Sequence, residues 1–419
     1  MSTGKTLAEK ILAHCSGRDS VSPGEIVVAQ VDCLMMDDAL GPWFADKPFQ
    51  ELGGKIKNPG TVVVISDHLV PASNIDQAEN VAYTRKWCKK YGIKYYEGDG
   101  PCHQVLGETG YNLPGTLLVG TDSHTCTSGA FGCFGTGIGS TEAAGVLHTG
   151  TIWLRVPESI LIEWNGRLPE KVLAKDLILY TIKQLGHAGA TYMAMEFAGD
   201  TIRSLPMDER MCISNMAVEA GAKAGLIKAD AATEEYLKDT GNTKKYTIFE
   251  SDKDAKYEQK LSYSSDQLEP QVACPHAVDN VYPVSEVAGT EIHQAYIGSC
   301  TGGRLYDLQA AADILKGKKV SPDCRLLVSP GSTKIYRQAI KSGILDILMD
   351  AGASIIAPTC GACVGLHSGV IAAGERCVST TNRNFKGRMG SYESEVYLAS
   401  PATVAASAIE GKLADPRKY

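Results

Sequence analysis

The chain has 419 residues, 44% of them apolar and 21% charged, with a net charge of −7. That length leaves room for about three domains. No run of lysine or arginine could track a phosphate backbone, which argues against nucleic-acid binding. No apolar run reaches the roughly 18 residues of a membrane span, and the start lacks the basic and apolar stretches of a secretory signal. Thirteen cysteines at irregular spacings fit free thiols in a reducing compartment, by default the cytoplasm.

In chain order, Thr6-Leu7-Ala8-Glu9 has the form of a capping box and predicts a helix through about His14. Gly4-Lys5-Thr6 lacks the upstream glycine of a phosphate loop. Ser22-Pro23-Gly24-Glu25 is a turn, and Ile26 to Val31 reads as a strand ending at Asp32. Thr61 to Ser66 is a strand that runs into Asp67-His68. A helical period over Ile75 to Tyr91 is followed by Gly100-Pro101-Cys102-His103-Gln104. Thr116 to Val119 is a further strand, and it opens into Gly120-Thr121-Asp122-Ser123-His124-Thr125. A lone histidine is commonly a structural group. Carboxylate and imidazole repeated at strand exits favour general acid–base chemistry.

The tract from Ser128 to Glu142 is glycine-rich, but its spacing and its distance from the preceding strand do not match a dinucleotide loop. Close packing of a loop and helix is the better reading. A boundary near Trp153 to Pro157 precedes a strand, Glu158 to Trp164, and a turn at Asn165-Gly166. Asp176 to Leu185 is a helix, Met195 to Gly199 is a strand exit that carries Glu196, and Met211 to Lys223 reads as a buried helix. Lys228 to Lys260, rich in both signs of charge, reads as surface helix and linker. From Val284 to Leu398 strands and helices alternate, as in a doubly wound α/β unit. The expected domains are therefore residues 1–155, 156–283 and 284–419.

In the last of these, three loops each follow a short strand-like run. They carry Gly298-Ser299-Cys300-Thr301-Gly302-Gly303-Arg304, then Thr359-Cys360-Gly361-Ala362-Cys363, then Asn382-Arg383-Asn384-Phe385-Lys386-Gly387-Arg388. Three thiols and two arginines would then meet at one sheet edge, where open α/β folds bind ligands. Three cysteines are too few for a closed zinc site and one too many for a disulfide. A cubane cluster held by three would leave one iron free to act as a Lewis acid. Cys360-x-x-Cys363 taken alone fits buried or redox cysteines equally well.

Together these motifs resemble the aconitase superfamily over nearly the whole chain, most closely the large subunits of 3-isopropylmalate dehydratase and homoaconitase. The specific parts are Gly120 to Thr125, the glycine tract to Glu142, Cys300, Cys360-Gly361-Ala362-Cys363, Asn382 to Arg388, and the closing Tyr397-Leu398-Ala399-Ser400-Pro401-Ala402-Thr403. The resemblance implies an aconitase-like α/β fold of three α/β/α domains around a cluster cleft. It implies one [4Fe-4S] cluster on Cys300, Cys360 and Cys363, with one iron not bound by cysteine. Asp67 and His68 would handle the departing hydroxyl. His103 would pair with Asp122, and His124 with a later glutamate, for which Glu196 is the candidate. Ser123, Arg383 and Arg388 would bind substrate oxygens, and Asn382, with Arg383, would brace the cluster.

Two departures stand out. The superfamily usually has Ser-Cys-Thr-Asn where this chain has Ser299-Cys300-Thr301-Gly302, which removes one hydrogen-bonding amide beside the cluster. Little follows Ser400-Pro401, whereas single-chain aconitases continue into a swivelling fourth domain. The resemblance therefore implies a separate small swivel-domain subunit. The expected function is a cluster-dependent hydro-lyase that isomerises or hydrates a small anionic hydroxy-carboxylate. A homoaconitase or a citraconate or dimethylmaleate hydratase is the alternative. A non-enzymatic RNA-binding iron sensor fits the charge and the missing domain less well, and a zinc or electron-transfer protein is a third class that the bound metal would distinguish.

Overall fold

The computed structural model describes residues 4–419. Contact density divides the chain into two compact units. The first takes residues up to 97, 105–165 and 190–263, and the second takes 98–104, 166–189 and 264–419.

The first unit is organised by a five-stranded sheet in the order Lys94–Glu97, Val62–Ser66, Cys33–Asp37, Leu117–Gly120, Phe134–Gly137, with every pair parallel. A parallel sheet is covered on both faces, so its inner strands read as unbroken apolar runs. Val62–Ser66 and Cys33–Asp37 are buried along their whole length. Because the strands share one direction, Asp37-Asp38, Asp67-His68 and Asp122-Ser123-His124 all leave at the same edge. The helix Leu7–Ser16 starts at a capping box in which Thr6 and Glu9 satisfy each other's backbone amides. Its Leu7, Ile11 and Leu12 join a core with Leu34, Met36, Val62 and Val64. A second sheet, Ala224–Ile227, Ala194–Ala198, Ser159–Asn165 and Gln259–Ser264, completes this unit together with the antiparallel pair Ile26–Gln30 and Thr151–Arg155.

The second unit holds a seven-stranded sheet in the order Val281–Pro283, Gln271–Ala273, Glu395–Ala399, Arg376–Ser379, Gln294–Ile297, Arg325–Val328, Ser354–Ile355. The last five of these are parallel. Helices Leu305–Leu315, Ile344–Ala351 and Pro401–Glu410 bury Leu308, Leu348 and Val404 against it. The three larger sheets draw their strands from residues 33–137, 159–264 and 271–399 respectively.

Several local expectations change. Cys33–Asp37 is a strand at the centre of its sheet, separated by Val31-Asp32 from the strand read upstream. Part of the glycine tract, Phe134–Gly137, is also a strand. The glycines do allow close packing: a Cβ on Gly135 would lie 2.4 Å from the Thr125 carbonyl oxygen, and one on Gly129 would lie 1.9 Å from that of Gly225. The helix expected over Met211 to Lys223 runs instead from Met207 to Met216, after Pro206, and is followed by a 3₁₀ turn. The charged stretch after Lys228 contains the helix Ala231–Asp239, whose Asp230 cap also pairs with the buried Arg210.

Candidate active site

Parallel strands deliver the first group of side chains to one sheet edge. His68 follows Val62–Ser66 by two residues, and its Nδ1 lies 2.7 Å from the Asp67 carboxylate. Its Nε2 lies 3.7 Å from the Asp122 carboxylate, which comes from the exit after Leu117–Gly120, on the far side of Cys33–Asp37. Beneath the ring, the Asp38 carboxylate accepts the backbone amides of Asp67, His68 and Leu69 at 3.3, 3.0 and 3.0 Å. Asp37 accepts the Thr121 hydroxyl at 2.6 Å, which ties the exits of Cys33–Asp37 and Leu117–Gly120 together. Asp38 and Asp37 were not singled out in the sequence; the signal was two adjacent acids closing an apolar run.

The electrostatics follow from burial. Burial works against a charged His68, but the adjacent Asp67 carboxylate, helped by Asp37 and Asp122, outweighs it and holds the imidazolium well above the usual range. Burial, then the Asp67 charge, pushes the Asp38 carboxyl up to about 7. This is one imidazole set among several carboxylates, an arrangement able to hold and release a proton.

His124 is the second residue of a 3₁₀ stretch, Ser123–Phe131, capped by Asp122, whose carboxylate accepts the His124 amide at 2.7 Å. Ser123 is half-buried beside it. The His124 Nε2 lies 2.7 Å from Glu219, not from Glu196. Glu196, central in its own sheet, accepts the Ser251 hydroxyl at 2.7 and 2.8 Å and the Leu7 amide at 3.4 Å. The expected pairing of His124 with Glu196 is therefore corrected to Glu219. The available signal was a single acid inside the apolar run Met216-Ala217-Val218-Glu219-Ala220.

The second unit carries the thiols. Ser299 adopts φ +71°, a left-handed conformation rarely held by serine. It places its hydroxyl 3.7 Å from both the Cys300 and the Cys363 sulfurs. Asn382 spans the same two residues, its Nδ2 donating to Cys300 Sγ at 3.7 Å and its Oδ1 lying 3.6 Å from Cys363 Sγ. Arg388 Nη2 donates to Cys363 at 3.6 Å. A hydrogen bond from the Cys360 thiol, then the Arg388 charge, holds Cys363 well below the ordinary thiol range despite its burial. Structural cysteines behave in the opposite way: burial pushes Cys88, Cys133 and Cys324 up to about 12. Hydroxyl, amide and guanidinium donors aimed at sulfur suit thiolates that ligate an anionic metal–sulfur group. The residues fit a cluster.

The loops around these thiols are closely fitted. A Cβ on Gly302 would lie 2.2 Å from the Thr380 Cβ, so Thr380 fills the space that an asparagine side chain at 302 would need. Thr380 is itself fixed by two 2.9 Å hydrogen bonds to the Gly298 backbone. The buried Lys175 ammonium donates to the carbonyls of Thr380 and Thr381 at 2.8 and 2.9 Å and so braces the turn into Asn382-Arg383. Between the cysteines of the second loop, the His367 ring lies where a Cβ on Gly361 would be, 2.1 Å away. His367 was not anticipated. Arg383 is half-buried on the Asn382 loop, and His103 lies buried in the 98–104 segment of this same unit, with Cys102 Sγ 3.7 Å from its Nε2.

The sequence profile described as Aconitase family (aconitate hydratase) matches residues 9–411. The chain belongs to the aconitase family. It is 50% identical to "3-isopropylmalate dehydratase large subunit 1" of Methanopyrus kandleri, across 99% of this chain and 100% of that one. It is 48% identical to the "3-isopropylmalate dehydratase large subunit" of Aquifex aeolicus, across 99% and 97%. It is 49% identical to the "Probable 3-isopropylmalate dehydratase large subunit" of Methanothermobacter thermautotrophicus, across 98% of each chain. No helix among the described residues is long and apolar enough to cross a membrane.

Proposed function

We propose that this chain is the cluster-bearing large subunit of a hydro-lyase of the 3-isopropylmalate dehydratase type, working with a separate small subunit. The observation that carries the reading is the gathering of Cys300 and Cys363 around Ser299 and Asn382, with Cys360 hydrogen-bonded to Cys363. The names of relatives about half identical over nearly the whole chain support the substrate class and the second subunit. Cys300, Cys360 and Cys363 would hold one [4Fe-4S] cluster. When bound, that group supplies a Lewis acid that weakens the bond to a departing hydroxyl.

The chain's own residues supply the proton donor and substrate contacts, and the base that takes the α-proton would come from the small subunit. Protonated His68, held so by Asp67, donates a proton to the leaving hydroxyl. Asp122 and Glu219 orient His68 and His124 by their 3.7 and 2.7 Å approaches. Arg383 and Arg388 bind substrate carboxylates, for which the planar guanidinium is suited, Ser123 binds a substrate oxygen, and His103 acts as a further acid–base group. Water is lost across a C–C bond and added back, or added once. Thirteen cysteines, none in a disulfide, fit a reducing cytoplasm.

The test is anaerobic reconstitution with iron and sulfide, followed by mixing with the small subunit and alkene dicarboxylates. Hydration of 2-isopropylmaleate in preference to citraconate, dimethylmaleate or homoaconitate supports the reading. Preference for one of the others reassigns the substrate within the same chemistry, and stoichiometric zinc without iron overturns it.

A further inference from the structure

The segment 98–104 is flanked on both sides by chain of the first unit, yet it belongs to the second. Two of its fastenings are backbone contacts. Thr333, at the start of the helix Thr333–Lys341, donates its amide to the Asp99 carbonyl at 2.9 Å. Gly100, at φ +131°, lies so close to Gly331-Ser332 that a Cβ would fall 2.6 Å from the Gly331 oxygen and 2.7 Å from the Ser332 Cα. Another fastening is between buried side chains. Arg304 Nε donates to Gln104 Oε1 at 2.9 Å, and both residues are buried, 0% and 2% exposed.

Arg304 ends the loop that carries Cys300, and its backbone amide is held by Asp307 at 2.9 Å. Its two terminal nitrogens have no hydrogen-bond partner among the described residues, so among these the Gln104 amide is the side chain that aims the guanidinium. Gln104 directly follows His103 in the short helix Cys102–Glu108. A shift of Gln104 within that turn carries His103 with it.

We propose that Arg304 and Gln104 form a buried tie that holds His103 in register with the Cys300 loop. Arg304 is then a positioning residue acting through Gln104. The proposal rests on the reading of His103 as part of the reacting centre. A buried charge-assisted hydrogen bond of this kind is strong and directional, and an apolar residue at 104 would leave the guanidinium without a side-chain acceptor. Glutamate at 104 keeps the acceptor and adds a charge.

The experiment uses the reconstituted two-subunit holoenzyme and compares Gln104→Leu, Gln104→Glu and Arg304→Lys with the parent chain. Three quantities are read: bound iron and sulfide, kcat with KM, and the ring ¹⁵N shifts of His103, assigned with His103→Asn. The tie predicts that Gln104→Leu keeps its cluster and KM, shifts the His103 ring signals, and loses about 100-fold in kcat. Gln104→Glu restores both signals and rate to within a few-fold of the parent. Arg304→Lys, whose single ammonium cannot reproduce the planar donor, behaves like Gln104→Leu. The proposal is overturned if Gln104→Leu leaves the His103 signals unchanged, or if its activity falls only in step with lost cluster. Displaced His103 signals in a holoenzyme inactive on every hydroxy-acid would keep the tie and remove the dehydratase reading.

Discussion

A histidine ringed by carboxylates cannot be read from its own position in the chain, and His68 illustrates why. Asp67-His68 was visible at a strand exit, but Asp38 reaches the ring from the adjacent strand and Asp122 from the one beyond it. Asp67 raises the imidazolium's pKa, so Asp67→Asn lowers it. The proton-donating form is then lost earlier on going alkaline, and the alkaline limb of kcat is predicted to move to lower pH. An unmoved limb in the reconstituted enzyme would remove His68 as the donor. Glu219 was missed for the same reason, since it lies 95 residues from His124 and only the folded chain selects it over Glu196. Glu219→Gln is expected to cut kcat about 100-fold, whereas Glu196→Gln, which perturbs a bond to Ser251, leaves it within a few-fold. Equal losses from the two variants would undo the reassignment.

At the scale of elements, short apolar runs ending in glycine-rich loops were legible because buried parallel strands need them. Gln294–Ile297, Arg376–Ser379 and the brief Ser354–Ile355 all appear where the runs predicted. The strand Cys33–Asp37 was not separable from the run before it, because only Val31-Asp32 interrupts the pattern and neither glycine nor proline marks a break. Phe134–Gly137 was hidden by its own glycines, which serve close packing rather than a turn. Gly302 gives this scale its test. Gly302→Asn, which places there the residue the family resemblance led one to expect, must displace Thr380 and is predicted to cost about 1–3 kcal/mol in denaturant unfolding. Thr380→Ala in the same chain should recover part of that loss, and additive losses would show that the two sites do not share space.

For the molecule as a whole, strand–helix alternation announced the doubly wound part, but not how the chain is shared between units. The inclusion of 98–104 and 166–189 in the second unit depends on contacts such as Arg304 with Gln104 and Lys175 with Thr380, between residues some 200 apart. Burial also sets the pH response of the fold. It pushes Asp176 up to about 7, above its unfolded value, although the amides of Gln271 and Leu173 donate to it. A carboxyl raised in this way contributes stability that is fully present below its unfolded pKa and is lost as pH rises through the folded one. Thermal stability is therefore predicted to fall between about pH 4 and 7, and the fall should be shallower in Asp176→Asn. A parallel decline in both proteins would exclude Asp176 as a source.

The account stands on three thiols acting as one binding site. Iron and acid-labile sulfide, measured per chain after anaerobic reconstitution, test it most directly. About four of each is predicted for the parent chain, with loss of both in Cys360→Ser and Cys363→Ser variants that remain folded. Full iron and sulfide in those variants, or zinc in place of iron in the parent, would contradict it.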